Sequence, residues 1–167
     1  MSNFVDILLE ISLNYAVKEM VLVSACLLGL KCCYNGCDNT NDDVVDMREL
    51  FTLIPVCPEQ LAGFSTPRFP AFFTQGDGSD TITGKDNIIN EQGTNVSEQF
   101  RCGAREVLKL CNLLNIHSAI LKEKSPSCGT KQIYVKEKLT KGSGVTATLL
   151  KLNGIRVMSE NELKEIR

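Results

Sequence analysis

The sequence predicts one α/β domain, built on a mostly parallel, Rossmann-like sheet that is flanked by helices. Short apolar runs typical of buried strands alternate with helical patterns, which is the order that parallel strands and crossover helices require. The 167 residues, 43% of them hydrophobic, are enough for one substantial core. Three of the apolar runs end in a cysteine. We expect an N-terminal helix over residues 1–19, a single domain over residues 20–167 and a hairpin excursion around residues 64–93.

The first elements lead to a thiol. Ser2 caps a predicted amphipathic helix that ends near Glu19. The first strand, Met20–Val23, runs into Ser24-Ala-Cys26, where small residues let the backbone approach a ligand. Gly29 then allows the chain to turn back, because glycine tolerates the backbone angles of a tight loop.

A second strand delivers a second thiol. Asp42 or Asp43 is expected to cap a short helix that runs through Phe51. The next apolar run, Leu53–Val56, ends at Cys57, and the prolines on either side of Val56 and the thiol restrict the backbone there. The excursion follows, with a turn at residues 75–78 between short strands that end near residue 74 and begin near residue 82.

The longest predicted helix precedes the third thiol. Asn95-Val-Ser-Glu98 has the form of a capping box. A core-facing stripe follows at helical spacing: Val96, Phe100, Ala104, Val107, Cys111 and Leu114. The strand Ser118–Leu121 then leads to the loop that contains Cys128.

Four further elements complete the predicted sheet and its helices. They are a strand over residues 132–135, a helix over residues 145–152, a strand over residues 155–158 and a terminal helix opened by a capping box at residues 159–162. Strands joined through helices in this way favour parallel pairing.

Cys26, Cys57 and Cys128 each follow a predicted strand, so we expect the three thiols at one edge of the sheet, where open parallel sheets bind ligands. Three thiolates could hold zinc with water in the fourth position, although catalytic zinc sites usually include histidine or carboxylate. They could also hold three corners of a four-iron cluster and leave one iron open as a Lewis acid. The cysteines at 32, 33 and 37 are expected to be surface thiols.

Composition restricts the remaining classes. A net charge of −2 without a basic stripe argues against binding bulk nucleic acid. We expect neither a signal peptide nor a membrane span, and so a cytoplasmic protein, in which eight cysteines indicate metal binding or thiol chemistry rather than disulfides. The single histidine, His117, is expected to be structural.

Several motifs occur together in this chain. They are Val23-Ser-Ala-Cys26-Leu-Leu-Gly29, Cys32 with Tyr34 and Gly36, Pro55-Val-Cys57-Pro-Glu59, Thr66-Pro-Arg68, Gly76-Asp-Gly78, Ala119-Ile-Leu-Lys-Glu-Lys-Ser-Pro-Ser-Cys128-Gly129, Gly144-Val-Thr-Ala147 and Gly154-Ile155 with Ser159-Glu160. The set resembles a widespread bacterial family, long described as a domain of unknown function, whose characterised members are thiouracil desulfidases. The resemblance runs from about Met20 to Leu163 and departs from the family pattern at Cys33, Asn35 and Phe72.

The resemblance implies a 4Fe-4S cluster on Cys26, Cys57 and Cys128, whose open iron takes the thione sulfur of a thiolated pyrimidine before water replaces that sulfur without net redox change. Protons must move during this exchange, and the expected catalytic residues are Glu59, Ser125 and Ser127. The expected substrate-binding residues are Ser24, Tyr34, Arg68, Lys122 and Lys124.

Three alternatives stay open from the sequence. The first is a non-catalytic metal or iron-sulfur-binding module that kept the ligands without the chemistry. The second is zinc in place of the cluster. The third is a thiol redox protein that uses Cys32, Cys33 or Cys37, although the chain has no Cys-x-x-Cys motif.

Overall fold

The computed structural model describes residues 18–165, so the helix predicted over residues 1–19 lies outside the described residues except for Lys18 and Glu19, which are not helical. The strands are β1 Met20–Ser24, β2 Thr52–Val56, β3 Ala71–Phe73, β4 Ile88–Asn90, β5 Ser118–Leu121, β6 Gln132–Val135, β7 Lys138–Lys141 and β8 Arg156–Ser159. The α-helices are α1 Asp42–Asp46, α2 Pro58–Leu61, α3 Gly78–Ile82, α4 Ser97–Leu114 and α5 Val145–Leu152. Short 3-10 helices span Ala25–Leu28, Met47–Glu49 and Glu162–Glu165.

The first sheet is entirely parallel and has the order β2-β1-β5-β8. Its central strands are buried on both faces, as parallel strands covered by helices usually are. Alternate residues of β1 therefore enter different core clusters, with Leu22 on one face and Val21 and Val23 on the other. The predicted α/β class with a mostly parallel sheet is confirmed.

The second sheet has the order β4-β3-β6-β7. The excursion does contain an antiparallel pair, β3 with β4, but its second strand begins at Ile88 rather than near Ile82. Residues Gly78–Ile82 form α3 instead, because Asp77 and Asp80 make reciprocal capping hydrogen bonds. The strand β7 was not predicted, since its residues are mostly polar and exposed.

The helix α4 carries the predicted stripe, and Phe100, Ala104, Val107 and Cys111 are buried. Its predicted cap is wrong: Val96 occupies the cap position, while the Asn95 side chain accepts a hydrogen bond from the Ser97 backbone.

A close approach between α4 and α2 positions the second thiol. A Cβ built on Gly103 would lie 2.1 Å from the carbonyl oxygen of Pro58, so only glycine fits there. Because Pro58 opens α2 directly after Cys57, this contact fixes the turn that presents Cys57.

Two other predicted helix starts differ in part. The helix α1 is capped by Asn41, whose Oδ1 accepts from the Val44 backbone, rather than by Asp42 or Asp43. At the end of the chain the Glu162 carboxylate accepts from the Ser159 backbone as a capping box requires, but the element that follows is a short 3-10 helix. None of the helices within residues 18–165 is both long and apolar enough to span a bilayer.

Candidate metal centre

Three adjacent strands end at the same edge of the parallel sheet. Cys26 lies in the turn after β1, Cys57 directly follows β2, and Cys128 lies in the loop after β5. All three cysteines line one cavity of about 500 Å³. Cys26 and Cys128 are buried and Cys57 is half-buried. The structure thus brings the three predicted ligands to one wall of one cavity.

The Cys128 loop is held by a serine that binds backbone groups. Ser125 Oγ accepts hydrogen bonds from the N–H groups of Ser127 and Cys128, each at 3.1 Å, and the Ser125 carbonyl accepts from Gly129 at 2.8 Å. A side chain at Gly144 would collide with the Ser127 carbonyl, so the start of α5 packs directly against the loop. These contacts fix the direction in which the Cys128 thiol is presented.

Beneath the loop lies a buried carboxylate, Glu123, which is 5% exposed. Its Oε1 accepts from the backbone N–H groups of Lys124, Thr130, Lys131 and Gln132, and its Oε2 accepts from the Thr130 hydroxyl. Burial alone would raise the pKa of Glu123, but these hydrogen bonds outweigh it and lower the pKa to about 2. The carboxylate therefore organises the loop as an anion.

Two of the three thiols, those of Cys57 and Cys128, hold their protons more tightly than a free cysteine does. Burial raises the pKa of Cys128 to about 12, although the hydroxyls of Ser24 and Ser127 oppose the shift. The pKa of Cys57 is raised mainly by a hydrogen bond with the Cys32 thiol, and burial is the second cause. Binding a metal here must release these protons, because metals bind the thiolate.

Two further cysteines line the cavity. Cys32 was expected at the surface, but it is 4% exposed and its thiol contacts those of Cys26 and Cys57. Cys33 is half-buried, and the Asn39 amide donates to its sulfur at 2.8 Å. Only Cys37 is exposed, as predicted for all three.

Glu59 and Arg68 form an ion pair on the cavity wall. Arg68 Nε donates to Glu59 Oε2 at 2.6 Å. The Arg68 side chain is 8% exposed and the Glu59 side chain is 17% exposed. Arg68 Nη1 also donates to the Cys32 carbonyl at 3.1 Å. The guanidinium therefore connects Glu59, which was predicted to be catalytic, with the backbone of the loop that contains Cys32.

The remaining predicted site residues are distributed around the same cavity, with one exception. Ser24, Tyr34, Lys122, Lys124 and Ser125 all line it. Ser127 is not among the lining residues, because it is buried and its hydroxyl hydrogen bonds with that of Thr146 at 2.9 Å.

Lys122 is already engaged at the cavity wall. Its Nζ lies 3.0 Å from Glu160 Oε1, and its backbone N–H donates to Ser24 Oγ. This second bond ties the end of β1 to the segment after β5. Tyr34 and Tyr134 are 49% and 42% exposed, and both line the cavity.

The donor set distinguishes between kinds of metal centre. In the part of the chain that the structure describes, no three His, Cys, Asp or Glu side chains are grouped so that they could hold one metal ion. A cubane cluster attaches each thiolate to a different iron, so its ligands need not converge on one point. Three thiols that line one cavity are therefore compatible with such a cluster.

The family of the chain follows from comparison with known sequences. The family model described as 2-thiouracil desulfurase matches residues 21–162, which is most of the chain. The chain belongs to the 2-thiouracil desulfurase family.

Two relatives support this membership. Uncharacterized protein YbbK of Bacillus subtilis (strain 168) is 43% identical over 150 residues, which cover 88% of this chain and 99% of that protein. The solved structure of the 4Fe-4S-dependent thiouracil desulfidase TudS is 36% identical and superimposes with a TM-score of 0.76, covering 89% of this chain and 95% of the other. The likeness extends over nearly the whole described domain.

Sequence reasoning about this desulfurase-family chain missed two residues at the site. Glu123 lies between two lysines and so resembles a solvated charge, although the loop folds around it. Tyr134, on β6, reaches the cavity from the second sheet. Neither carries a local signal, since both depend on packing between segments distant in sequence.

Proposed function

We propose that this chain is an iron-sulfur-dependent desulfidase that replaces the sulfur of a thiolated pyrimidine, such as 2-thiouracil, with oxygen from water. The observation that carries the proposal is the meeting of Cys26, Cys57 and Cys128 on one cavity that also contains the Glu59–Arg68 pair. The family and the similarity to TudS support the same activity. The family match begins at residue 21, which supports residues 20–167 as the functional domain.

The residues present fit a 4Fe-4S cluster. Cys26, Cys57 and Cys128 would hold it, since thiolates are the usual ligands of such clusters. When bound through three cysteines, the cluster supplies an iron without a protein ligand, which acts as a Lewis acid toward a thione sulfur and makes the attached carbon more electrophilic. A cavity of about 500 Å³ has room for a single nucleobase.

Glu59 is placed to move protons. Arg68 occupies its Oε2, and among the described residues no hydrogen bond reaches its Oε1. We propose that Oε1 takes the two protons of the attacking water in successive transfers and returns each to the departing sulfur, so that thione and water become carbonyl and hydrogen sulfide. The ion pair with Arg68 holds the carboxylate in place during this transfer.

The other polar groups divide between substrate and scaffold. We propose that Lys124, the Ser125 hydroxyl and the Tyr34 ring contact the pyrimidine, because all three line the cavity. Arg68 and Lys122 each form an ion pair with a carboxylate. We therefore propose that they hold the cavity wall in position and that neither binds the substrate independently of its carboxylate partner. Ser24 and Ser127 contact the Cys128 thiol and support that ligand.

The test is anaerobic reconstitution with iron and sulfide, followed by addition of 2-thiouracil and measurement of hydrosulfide and uracil. We expect about four irons per chain and product in equal amounts. Cys26→Ser, Cys57→Ser and Cys128→Ser should each lose the cluster, whereas Cys102→Ser, on an α4 face away from the cavity, should keep it. A full cluster without hydrosulfide would favour the non-catalytic module, and stoichiometric zinc with no cluster would overturn the assignment of the cofactor.

A further inference from the structure

Five cysteines line the cavity, and the proposed function uses three of them. Of the other two, Cys32 is enclosed by the wall, since it is 4% exposed and Arg68 holds its carbonyl. Cys33 is only half-buried and also lines the cavity, so it lies closer to the solvent-accessible side. A substrate must enter from that side.

The sulfur of Cys33 is held in a defined position. Its backbone N–H donates to the Cys37 carbonyl at 3.1 Å, and its own carbonyl accepts from Gly36 at 2.9 Å. Asn39 acts on both thiol-bearing segments: its side-chain amide donates to Cys33 Sγ at 2.8 Å, and its backbone N–H donates to the Cys26 carbonyl at 2.9 Å. One residue therefore keeps the Cys33 sulfur beside the segment that carries a predicted cluster ligand.

The position of the Cys33 sulfur suits it to bind iron, because Cys33 lines the same cavity as the three proposed ligands. The Cys26 thiol lies near enough to that of Cys33 to affect its pKa. Burial raises the pKa of Cys33, and the hydrogen bond from Asn39 opposes that shift only in part, so Cys33 must release a proton when it binds iron, as the three proposed ligands must.

We propose that Cys33 is a displaceable fourth ligand, which caps the open iron of the cluster when no substrate is bound. The inference rests on the proposed function, because it assigns a role toward the same cluster. An iron–Sγ bond forms as the Cys33 thiol loses its proton to solvent. When the thione sulfur binds the iron, that bond breaks and Cys33 takes up a proton. No electrons are transferred in either direction.

The capping role has two measurable consequences. A cluster with four thiolate ligands should retain its fourth iron on mild oxidation, whereas a three-ligand cluster should lose it and become a 3Fe-4S species. Because substrate must also displace Cys33, its apparent Kd equals the intrinsic Kd divided by the fraction of centres that are not capped. If nine-tenths of centres are capped, removing the thiol tightens binding about tenfold.

The experiment compares reconstituted wild type with Cys33→Ser, Asn39→Ala and the control Cys102→Ser. Each is treated with one equivalent of ferricyanide under argon, and the product is read by iron content and by electron paramagnetic resonance. We expect wild type and Cys102→Ser to keep four irons, Cys33→Ser to fall to three with the signal of a 3Fe-4S cluster, and Asn39→Ala to lie between them. Circular dichroism checks that every variant is folded.

The outcomes separate this inference from the proposed function. Equal loss of iron from wild type and Cys33→Ser would overturn the capping role, even if wild type releases hydrosulfide from 2-thiouracil. Retention of iron that depends on Cys33, in a protein without hydrosulfide release, would support the capping role and contradict the desulfidase activity. Failure of wild type to assemble any cluster would overturn both.

Discussion

Substitution of the buried carboxylate beneath the Cys128 loop should destabilise the protein in a pH-dependent way. Glu123→Gln keeps the shape of the side chain but removes its charge and turns an amide N–H₂ toward backbone donors. In the folded protein the pKa of Glu123 falls from its usual 4.5 to about 2. Since one unit of pKa corresponds to about 1.4 kcal/mol, the ionised carboxylate contributes roughly 3 kcal/mol to the free energy of unfolding.

The sign of the pH dependence follows from the lowered pKa. A carboxyl group whose pKa is depressed by folding stabilises the protein fully above its unfolded pKa and loses that effect as the pH falls toward its folded pKa. The contribution of Glu123 is therefore complete at pH 7, and more than half of it is lost by about pH 3. The variant lacks this contribution and should show a correspondingly flatter decline in stability.

Urea unfolding of the reduced, cluster-free protein at several pH values between 7 and 3 measures this effect. At pH 7 we expect the free energy of unfolding of Glu123→Gln to be about 3 kcal/mol below that of wild type, which corresponds to a fall in Tm of about 6 to 12 °C. Glu137→Gln, at an exposed carboxylate in the turn between β6 and β7, is the matched control and should follow wild type. Equal stability of wild type and Glu123→Gln at pH 7, with equal slopes toward pH 3, would refute the argument.

Two further changes test the contacts around the cavity. Gly103→Ala places a methyl group 2.1 Å from the Pro58 carbonyl oxygen and should lower the free energy of unfolding by about 1–3 kcal/mol, as measured by thermal unfolding. In an exposed helix the same change would leave Tm unchanged or raise it. That result here would contradict the close packing of α4 on α2. Arg68→Lys removes the planar guanidinium that joins Glu59 to the Cys32 carbonyl. Because lysine cannot hold both partners in one plane, the variant should release hydrosulfide about a hundredfold more slowly at unchanged iron content. Full activity would show that the position of Glu59 does not depend on this pair.

The sheet edge could be predicted because its signals are local. An apolar run that ends in cysteine indicates a buried strand and the direction of the thiol, and parallel strands carry such ends to one edge. The helix caps were less accessible. Asn41 and Asp42 are both good capping residues, and only the observed backbone shows that Asn41 Oδ1 accepts from Val44. Asp77 and Asp80 likewise formed a helix in a stretch where Gly76 and Gly78 indicated a turn.

The polar residues of the cavity were located from the sequence better than their contacts were. Arg68 was expected to bind the substrate, but its guanidinium is occupied by the Glu59 carboxylate and the Cys32 carbonyl, and no local sequence signal indicates these contacts. Glu123 went unnoticed because its partners are backbone groups of a loop whose course no propensity describes. Cys32 was placed at the surface because a loop with Asn-Gly usually lies there, yet packing against Cys26 and Cys57 encloses it.

The cavity is built from two sheets that meet around a single bridge between Lys124 and Ile133. One sheet supplies all three proposed cluster ligands, whereas the other supplies Phe72 and Tyr134 to the same cavity. The residues that line the cavity are therefore drawn from both sheets, and only some of them lie on the segments that carry the proposed ligands. Substitutions at Phe72 on β3 or Tyr134 on β6 should therefore change the shape of the cavity without altering the segments that carry the three thiols.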